Sequence, residues 1–357
     1  MNAFLSAWKE HRYLLAFALA YIGVVVGLAL SVGATIEEFW IALKDFASLS
    51  FILIFYFLLL LFFFFFKALF KARGGDPLAY AMDFFEQFEQ QLTLFLKRNM
   101  LWRAFFAALA LFPLDVFFSV GKSLVPHLGG YGWDPLFAQM DKTLHFGHYP
   151  HEYLVPVIDG LHLSHALDEL YVLWFYMLFL VHGIALFLDH NPVRRMRYLW
   201  SVALSWAFLG TFMAVALASA GPVYYADFVA GPSPYEGLLA HLQALDAQKP
   251  LRALSIAASL KNIVHDAHIV GINAISAMPS MHVGIAFLTV LYFWHISRWL
   301  WAPALVFFVI MLISSVYLAW HYAIDGYVGA LGVWGMWRLS GLLVKWLHPQ
   351  MVDETQN

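Results

Sequence analysis

Two histidines and an aspartate stand where apolar segments begin, and they are the side chains best suited to chemistry. His282 follows Pro279 and Ser280 at the start of one segment, whereas His321 and Asp325 lie four residues apart near the start of another. A Pro-Ser start favours a bound anion, because the free N–H groups and the positive dipole end of the helix face it. The four-residue spacing puts His321 and Asp325 on one helical face, where the carboxylate can hold the imidazole in one tautomer.

This set of side chains suits phosphoryl transfer. One imidazole must be neutral to attack phosphorus, and the other must be protonated to release the leaving oxygen. The scheme requires no metal and no other cofactor. Each motif alone has a plainer interpretation, with His282 as a structural interfacial residue and His321 with Asp325 as a chance helical pair. Their convergence on one membrane face favours catalysis, because ionisable groups at span boundaries are costly.

The elements that must position these residues are membrane-spanning helices. The 357 residues are 62% hydrophobic and 12% charged, against roughly 25% charged in an ordinary soluble domain. The basic residues form no single patch, which argues against a nucleic-acid partner. Cysteine is absent, which excludes disulfides and thiolate catalysis. The composition therefore predicts an all-α, polytopic membrane helical bundle, and nothing in it specifies an oligomeric state.

About eight stretches are long enough to cross a bilayer core of about 30 Å, which takes roughly 20 residues of helix. The predicted spans are 13–33, 49–70, 101–120, 167–188, 198–218, 281–296, 302–320 and 324–347. Residues 73–98 carry phenylalanines at helical spacing between charges, which predicts a cytoplasmic amphipathic segment. We therefore expect two N-terminal spans in residues 1–100, a six-helix catalytic core in 101–347 and a polar tail in 348–357.

The distribution of lysine and arginine predicts the orientation. Fourteen of the twenty basic residues fall in the termini and the alternate loops that share their side. Because basic residues stay with cytoplasmic loops, both termini are predicted to be cytoplasmic. The long loops 121–166 and 221–280 then face outward, and so do His282, His321 and Asp325. The candidate site is expected on the extracytoplasmic side, periplasmic or luminal.

The order Pro279-Ser280-x-His282, then His321-x-x-x-Asp325, resembles the second and third motifs of the type 2 phosphatidic acid phosphatase superfamily of membrane phosphotransferases. Within the superfamily the sequence resembles the inositol phosphorylceramide synthase branch, in which the residue before the histidine of the second motif is bulky, as Met281 is here. Residues 141–154 and 221–225 are also similar to that branch. The resemblance implies that His321 forms a phosphohistidine and that Asp325 orients it. It implies that His282 is the acid and then the base, and that Ser280 helps to hold the phosphate.

The sequence departs from the superfamily pattern where phosphate is bound. The Lys and Arg-Pro first motif is missing, and Ser315 stands where the third motif usually carries arginine. Outward basic residues nearest the second motif are the candidates to compensate, namely Lys249, Arg252 and Lys261. We also expect Tyr224, Tyr225 and Asp115 to contact substrate, although Asp115 can equally extend to the outer surface.

The missing charges favour a phosphodiester donor. The leading prediction is therefore a lipid phosphotransferase whose partners are membrane lipid substrates. The resemblance to the inositol phosphorylceramide synthase branch implies a role in sphingolipid metabolism. A lipid phosphate or polyprenyl pyrophosphate phosphatase is the alternative, with the same histidines and water as the acceptor.

Two further alternatives come from other classes of protein. Loop histidines at close spacing suit a metal-dependent hydrolase, and they are His145, His148, His151, His162, His165, His265 and His268. A transporter or scaffold is the other alternative. Transporters carry ionisable residues at mid-membrane and broken or repeated helices, whereas here the ionisable residues gather at one face and no repeat is evident.

Overall fold

The computed structural model describes residues 2–47, 86, 100–265, 269–270 and 274–351. Within these ranges the regular secondary structure is helical throughout, without a strand. The predicted all-α bundle is thus confirmed. The predicted span 49–70 lies outside the described residues, as does the amphipathic segment 73–98 except for Glu86.

Twelve helices of the described ranges are used below. They are α1 Asn2–Ser31, α2 Ile36–Ala47, α3 Met100–Ser123, α4 Asp134–Leu144, α5 Pro150–Gly160, α6 Ser164–Gly183, α7 Pro192–Leu204, α8 Glu236–Gln248, α9 Arg252–His265, α10 Met281–Trp294, α11 Arg298–Tyr317 and α12 Ala323–Leu347. Two of them continue as π-helix, α6 through Ile184–Leu188 and α7 through Ser205–Met213. Short helical turns occur at Val125–Leu128, Pro222–Tyr224 and Tyr225–Phe228.

Five helices of the described part are long and apolar enough to cross a bilayer: α1, α3, α6 with its extension, α7 with its extension, and α11. The apolar α10 has only 14 residues, and the 25-residue α12 carries Asp325 and Lys345 in its terminal turns. These helices indicate a multi-pass membrane protein. The predicted count of eight spans is not confirmed.

The helices that carry the candidate residues pack closely because glycines line their contact. α10 packs against both α11 and α12. A Cβ atom at Gly329 of α12 would overlap the carbonyl oxygen of Ser280, and one at Gly284 of α10 would lie 3.1 Å from the Gly329 carbonyl oxygen. Small residues permit such close approach of helices in membranes. The start of α10 is therefore held beside the start of α12.

The first helix is tied to the rest of the bundle. α1 packs along α3, and the Tyr21 hydroxyl lies 2.6 Å from the hydroxyl of Thr211 in α7. Near the other end of α1, Arg103 of α3 donates to Glu10 at 2.7 Å. The division into a two-span N-terminal unit and a six-helix core remains a prediction.

Candidate active site

His282 and His321 face each other at one end of the bundle, which we call the site end. Their ring centres are 6.1 Å apart. His282 lies in the first turn of α10, and His321 lies just before α12. The close packing of α10 on α12 therefore brings together two side chains that are far apart in sequence.

His321 is paired with Asp325 in a buried contact. Its Nδ1 lies 3.3 Å from Oδ2 of Asp325, with 7% of the histidine side chain exposed and none of the aspartate. The same carboxylate oxygen accepts the Tyr322 backbone N–H at 2.9 Å. With Nδ1–H donating to the carboxylate, Nε2 of His321 keeps its lone pair for attack.

The pairing arises from a helix cap rather than from a shared helical face. Tyr322 is the N-cap of α12 and Asp325 is its third residue, so the carboxylate turns back onto the N-cap in a capping box. His321 precedes the cap and is not helical. The four-residue spacing thus produces the expected contact by a different local geometry.

Ser280 joins the two helix starts. Its backbone N–H donates to the Asp325 carbonyl oxygen at 2.9 Å, and its hydroxyl accepts from the Val283 N–H at 3.4 Å as the N-cap of α10. The residue is fully buried. In this arrangement Ser280 positions the helix start that bears His282.

Two aspartates of α4 hold the other backbone segments of the site. Asp141 accepts the N–H groups of Ala323 at 2.7 Å and Ile324 at 2.9 Å, at the start of α12. Burial raises the pKa of Asp141, and those two backbone donors oppose the rise. These bonds fix the segment between His321 and Asp325.

Asp134 lies two helical turns before Asp141 on α4, and it also holds backbone segments of the site. It accepts from the N–H groups of Ala220 at 2.9 Å and Gly221 at 2.8 Å, and from the Tyr322 hydroxyl at 2.7 Å. Burial raises its pKa, against the same kind of hydrogen bonds. The sequence motifs assign no role to Asp141 and do not include Asp134. Their seven-residue spacing, two helical turns, is the signal that was available.

A cavity of about 240 Å³ opens beside the two histidines. Its polar side chains include Lys122 from the last turn of α3 and Asp168 from α6. Both Asp168 oxygens accept backbone N–H groups at the start of α9, from Arg252 at 2.8 Å and Ala253 at 2.9 Å. Among the described lining residues, Lys122 is the one lysine or arginine.

Lys122 lines the cavity, although the sequence motifs do not indicate it. It is one of the six basic residues outside the fourteen that predict the cytoplasmic side, and it lies two residues after the apolar stretch 101–120. That position was the available signal. Its relation to His282 depends on tertiary packing.

Aromatic rings surround His282. Tyr171 stacks on it at 4.9 Å and Trp174 lies 4.4 Å away between ring centres. The Trp174 indole N–H also donates to the His282 carbonyl oxygen at 2.8 Å. These contacts fix the imidazole while leaving it half-buried at the cavity wall.

The predicted compensating cations lie elsewhere. Lys261 pairs with Asp227 at 2.6 Å, and Arg252 pairs with Glu169 at 3.1 Å; both basic side chains are about half exposed. Lys249 is exposed as well. None of these three side chains is among the residues that line the described cavity.

The remaining predicted contacts divide between the cavity wall and its surroundings. Tyr224 lines the cavity and donates its hydroxyl to the Ala257 carbonyl at 2.9 Å. Tyr225 packs edge-on against Tyr235 at 5.5 Å. Asp115 lies two helical turns before Lys122 on α3 and is not among the lining residues described for the cavity.

Ser315 stands where the superfamily usually carries arginine, and its backbone contacts the backbone of His321. The Ser315 carbonyl accepts the His321 N–H at 3.0 Å, and its hydroxyl donates to the Leu312 carbonyl at 2.9 Å. Ser315 is fully buried. An arginine here would need space that the packed helices fill.

Two of the loop histidines that the structure describes, His145 and His148, have partners other than a metal-binding group. His145 contacts the Asp141 carbonyl at 2.7 Å and the Tyr327 hydroxyl at 3.0 Å, and His148 pairs with Glu152 at 2.8 Å. In the described part of the chain no group of three or more His, Asp or Glu side chains is arranged to hold a metal ion. His268 and the side chain of His265 lie outside the described residues.

Comparison with known proteins identifies the family. A model of the PAP2 superfamily matches residues 136–339, which is more than half of the chain and includes His282, His321 and Asp325. No curated protein and no solved structure matches. The resemblance to the inositol phosphorylceramide synthase branch is not confirmed by these comparisons. The chain belongs to the PAP2 superfamily and is a lipid phosphatase or phosphotransferase.

Proposed function

We propose that this protein is a lipid phosphotransferase that moves the phosphoryl head group of a lipid phosphodiester to a hydroxyl acceptor. The proposal is carried by the two imidazoles, whose ring centres are 6.1 Å apart beside the cavity. A nucleophile attacks from about 3–3.5 Å, and an acid donates across about 2.6–3.2 Å. The separation of the ring centres is similar to the combined reach of a nucleophile and an acid on one phosphoryl group.

The proposed reaction has two displacements. Nε2 of His321 attacks phosphorus, and the N–P bond forms as the P–O bond to the lipid alcohol breaks. Protonated His282 gives its proton to the departing oxygen. His282 then takes the proton of the acceptor hydroxyl, whose oxygen attacks phosphorus and breaks the N–P bond. Asp325 keeps the proton on Nδ1 of His321 throughout.

The proposed branch and location rest on the sequence. Met281 and the stretches 141–154 and 221–225 support the inositol phosphorylceramide synthase-like branch, with a sphingolipid hydroxyl as the acceptor. The distribution of basic residues supports cytoplasmic termini and an extracytoplasmic site. The lipid substrates would then be taken from the extracytoplasmic leaflet.

With water as the acceptor the same residues would hydrolyse a lipid phosphate or a polyprenyl pyrophosphate. The buried Ser315, together with Lys122 as the single lysine among the described lining residues, favours the phosphodiester instead. A phosphodiester carries one negative charge, whereas a phosphomonoester carries about 1.5 to 2 near neutral pH.

The experiment is product analysis with purified protein in neutral-detergent micelles. Phosphatidylinositol labelled in its head group is supplied with and without ceramide, and the protein is also quenched in alkali to preserve an acid-labile phosphohistidine. We expect label on the ceramide and a modified peptide that contains His321. Labelled water-soluble product alone, in the presence of ceramide, would exclude the transferase.

The control is His321→Ala, which should give neither the labelled peptide nor the product. Equal labelling of that variant would show that the nucleophile lies elsewhere. A matched variant, His148→Ala, removes an exposed loop histidine paired with Glu152 and should leave both readouts unchanged.

A further inference from the structure

Lys122 brings a positive charge to a place where no carboxylate of the described residues forms an ion pair with it. It lies in the last turn of α3, half-buried, and lines the same cavity as His282 and His321. It is within electrostatic range of both imidazoles. A partly buried ammonium without a partner is costly. The cavity therefore favours an anionic ligand.

The one carboxylate among the described lining residues already accepts hydrogen bonds from other groups. Asp168 also lines the cavity, but its two oxygens accept the Arg252 and Ala253 backbone N–H groups. Among the described residues no carboxylate forms an ion pair with Lys122. The lysine thus differs from Lys261 and Arg252, which are both paired with acids.

Most of the rest of the cavity wall is apolar. Phe118 of α3 stacks on Trp206 of α7 at 4.1 Å, and both line the cavity together with Gly210 and Ala214. α3 packs on the π-helical extensions of α6 and α7. On α3 the lining residue Phe118 lies one helical turn before Lys122, so this part of the cavity wall passes from Lys122 at the site end to an aromatic side chain deeper in the bundle.

Phe175 and Val172 of α6 also line the cavity. Phe175 is 50% exposed, which places an aromatic side chain at the rim of the cavity where α6 faces outward from the bundle. An amphiphile with one anionic group and an apolar chain matches this distribution of polar and apolar walls.

We infer that Lys122 binds the phosphodiester of the lipid donor and supplies the fixed positive charge that Ser315 cannot. The inference rests on the proposed function and names a further substrate-binding residue of the same site. The ammonium holds a nonbridging phosphate oxygen, while the lipid chain lies along Phe118 and Trp206. Holding that oxygen places phosphorus between the two imidazoles and stabilises the charge of the transition state.

The test measures binding without chemistry, in the His321→Ala background. Labelled phosphatidylinositol is titrated onto protein in neutral-detergent micelles, with and without Lys122→Gln. Because a hydrogen bond to a charged group contributes more than a neutral one, we expect the added substitution to weaken binding about 10- to 100-fold. Lys122→Arg should retain affinity within about threefold. Diacylglycerol of the same chain length should bind equally to all variants.

The matched control is Lys142→Gln in the same background. Lys142 lies in the last turn of α4, with its ammonium over the Tyr149 ring at 5.4 Å, and its substitution should leave affinity unchanged. Thermal melting of each variant confirms folding. Equal phosphatidylinositol affinity with and without Lys122→Gln would overturn the inference, as would an equal loss caused by Lys142→Gln.

The failure of this inference and of the proposed function can be told apart. If phosphatidylinositol binds through Lys122 but never yields phosphohistidine in the protein with His321 intact, the transfer mechanism fails and the binding role stands. If phosphohistidine forms from that donor at the normal rate and donor concentration in Lys122→Gln, the binding role fails and the mechanism stands.

Discussion

The two ends of the bundle bury ionisable side chains in different ways. At the site end, Lys122, His282 and His321 surround a cavity. At the other end of α3, the Glu10 carboxylate forms ion pairs with Arg103 at 2.7 Å and with Arg195 at 3.4 Å. Each end has charge in an apolar surrounding, but the cations at the far end are paired with a carboxylate of α1.

Burial of charge therefore does not by itself identify a catalytic site. Arg195 is 1% exposed and is still paired, because it contacts Glu10 and also donates to the Ala185 carbonyl at 3.1 Å. The far cluster therefore joins α1, α3 and α7. At the site end the unmatched charge and the open space occur together, and this combination indicates a ligand.

His282→Ala should have the largest effect on activity of the changes that test this comparison. General acid and base catalysis contributes about 10²- to 10⁴-fold, so the rate of phosphoryl transfer should fall by that factor. Single-turnover assays with labelled phosphatidylinositol measure it. His148→Ala is the control, and a His282→Ala protein with more than half the normal rate would contradict the assigned role.

Glu10→Gln should lower the free energy of unfolding and leave the rate of phosphoryl transfer unchanged. Breaking a buried ion pair leaves an uncompensated charge, which costs about 3–5 kcal/mol, and here Arg103 and Arg195 both lose their carboxylate. Unfolding by denaturant in micelles should show this loss, with activity per folded molecule unchanged. The exposed Glu37 offers a control, since Glu37→Gln should change stability by no more than about 0.5 kcal/mol. A catalytic defect without unfolding would remove the distinction between the two ends.

Asp141→Asn should produce a smaller effect that combines stability and activity. The amide keeps one acceptor for the Ala323 and Ile324 N–H groups but loses the charge. We expect a loss of about 1.5–3 kcal/mol of stability and a roughly tenfold fall in kcat, because displaced catalytic groups react slowly. Asp246→Asn is the matched control, since Asp246 accepts the Leu251 N–H at 2.7 Å away from the histidines. It should lower stability with kcat unchanged, and an equal fall in kcat would argue against positioning by Asp141.

Lys261→Gln should have the smallest effect. Its ammonium is paired with Asp227 and about half exposed, and such surface pairs contribute about 0–1 kcal/mol. Donor affinity in the micelle titration should stay within twofold. A loss as large as that of Lys122→Gln would instead support the original sequence prediction for Lys261.

The sequence predicted those features that depend on local pattern. Long apolar runs specified the helices, and two short motifs specified His282, His321 and Asp325 as a set. The helix cap that pairs His321 with Asp325 could not be distinguished from an ordinary helical contact, because both give the same spacing. The position of Lys122 at the end of an apolar stretch could be seen in the sequence, but its place in one cavity with His282 could not, because that depends on how α3 and α10 are assembled. In the same way, the spacing of Asp134 and Asp141 was visible, but the partners of Asp134 at Gly221 and Tyr322 were not.

The contact at Gly329 has a consequence for how the protein tolerates mutation. Any side chain there would displace α12 from Ser280 and widen the separation of the two histidines, although residue 329 has no reactive group. A random-mutagenesis screen for inactive but membrane-inserted protein should therefore recover Gly329 and Gly284 alongside His282 and His321. Such a screen would show that part of the catalytic information is encoded by the absence of side chains.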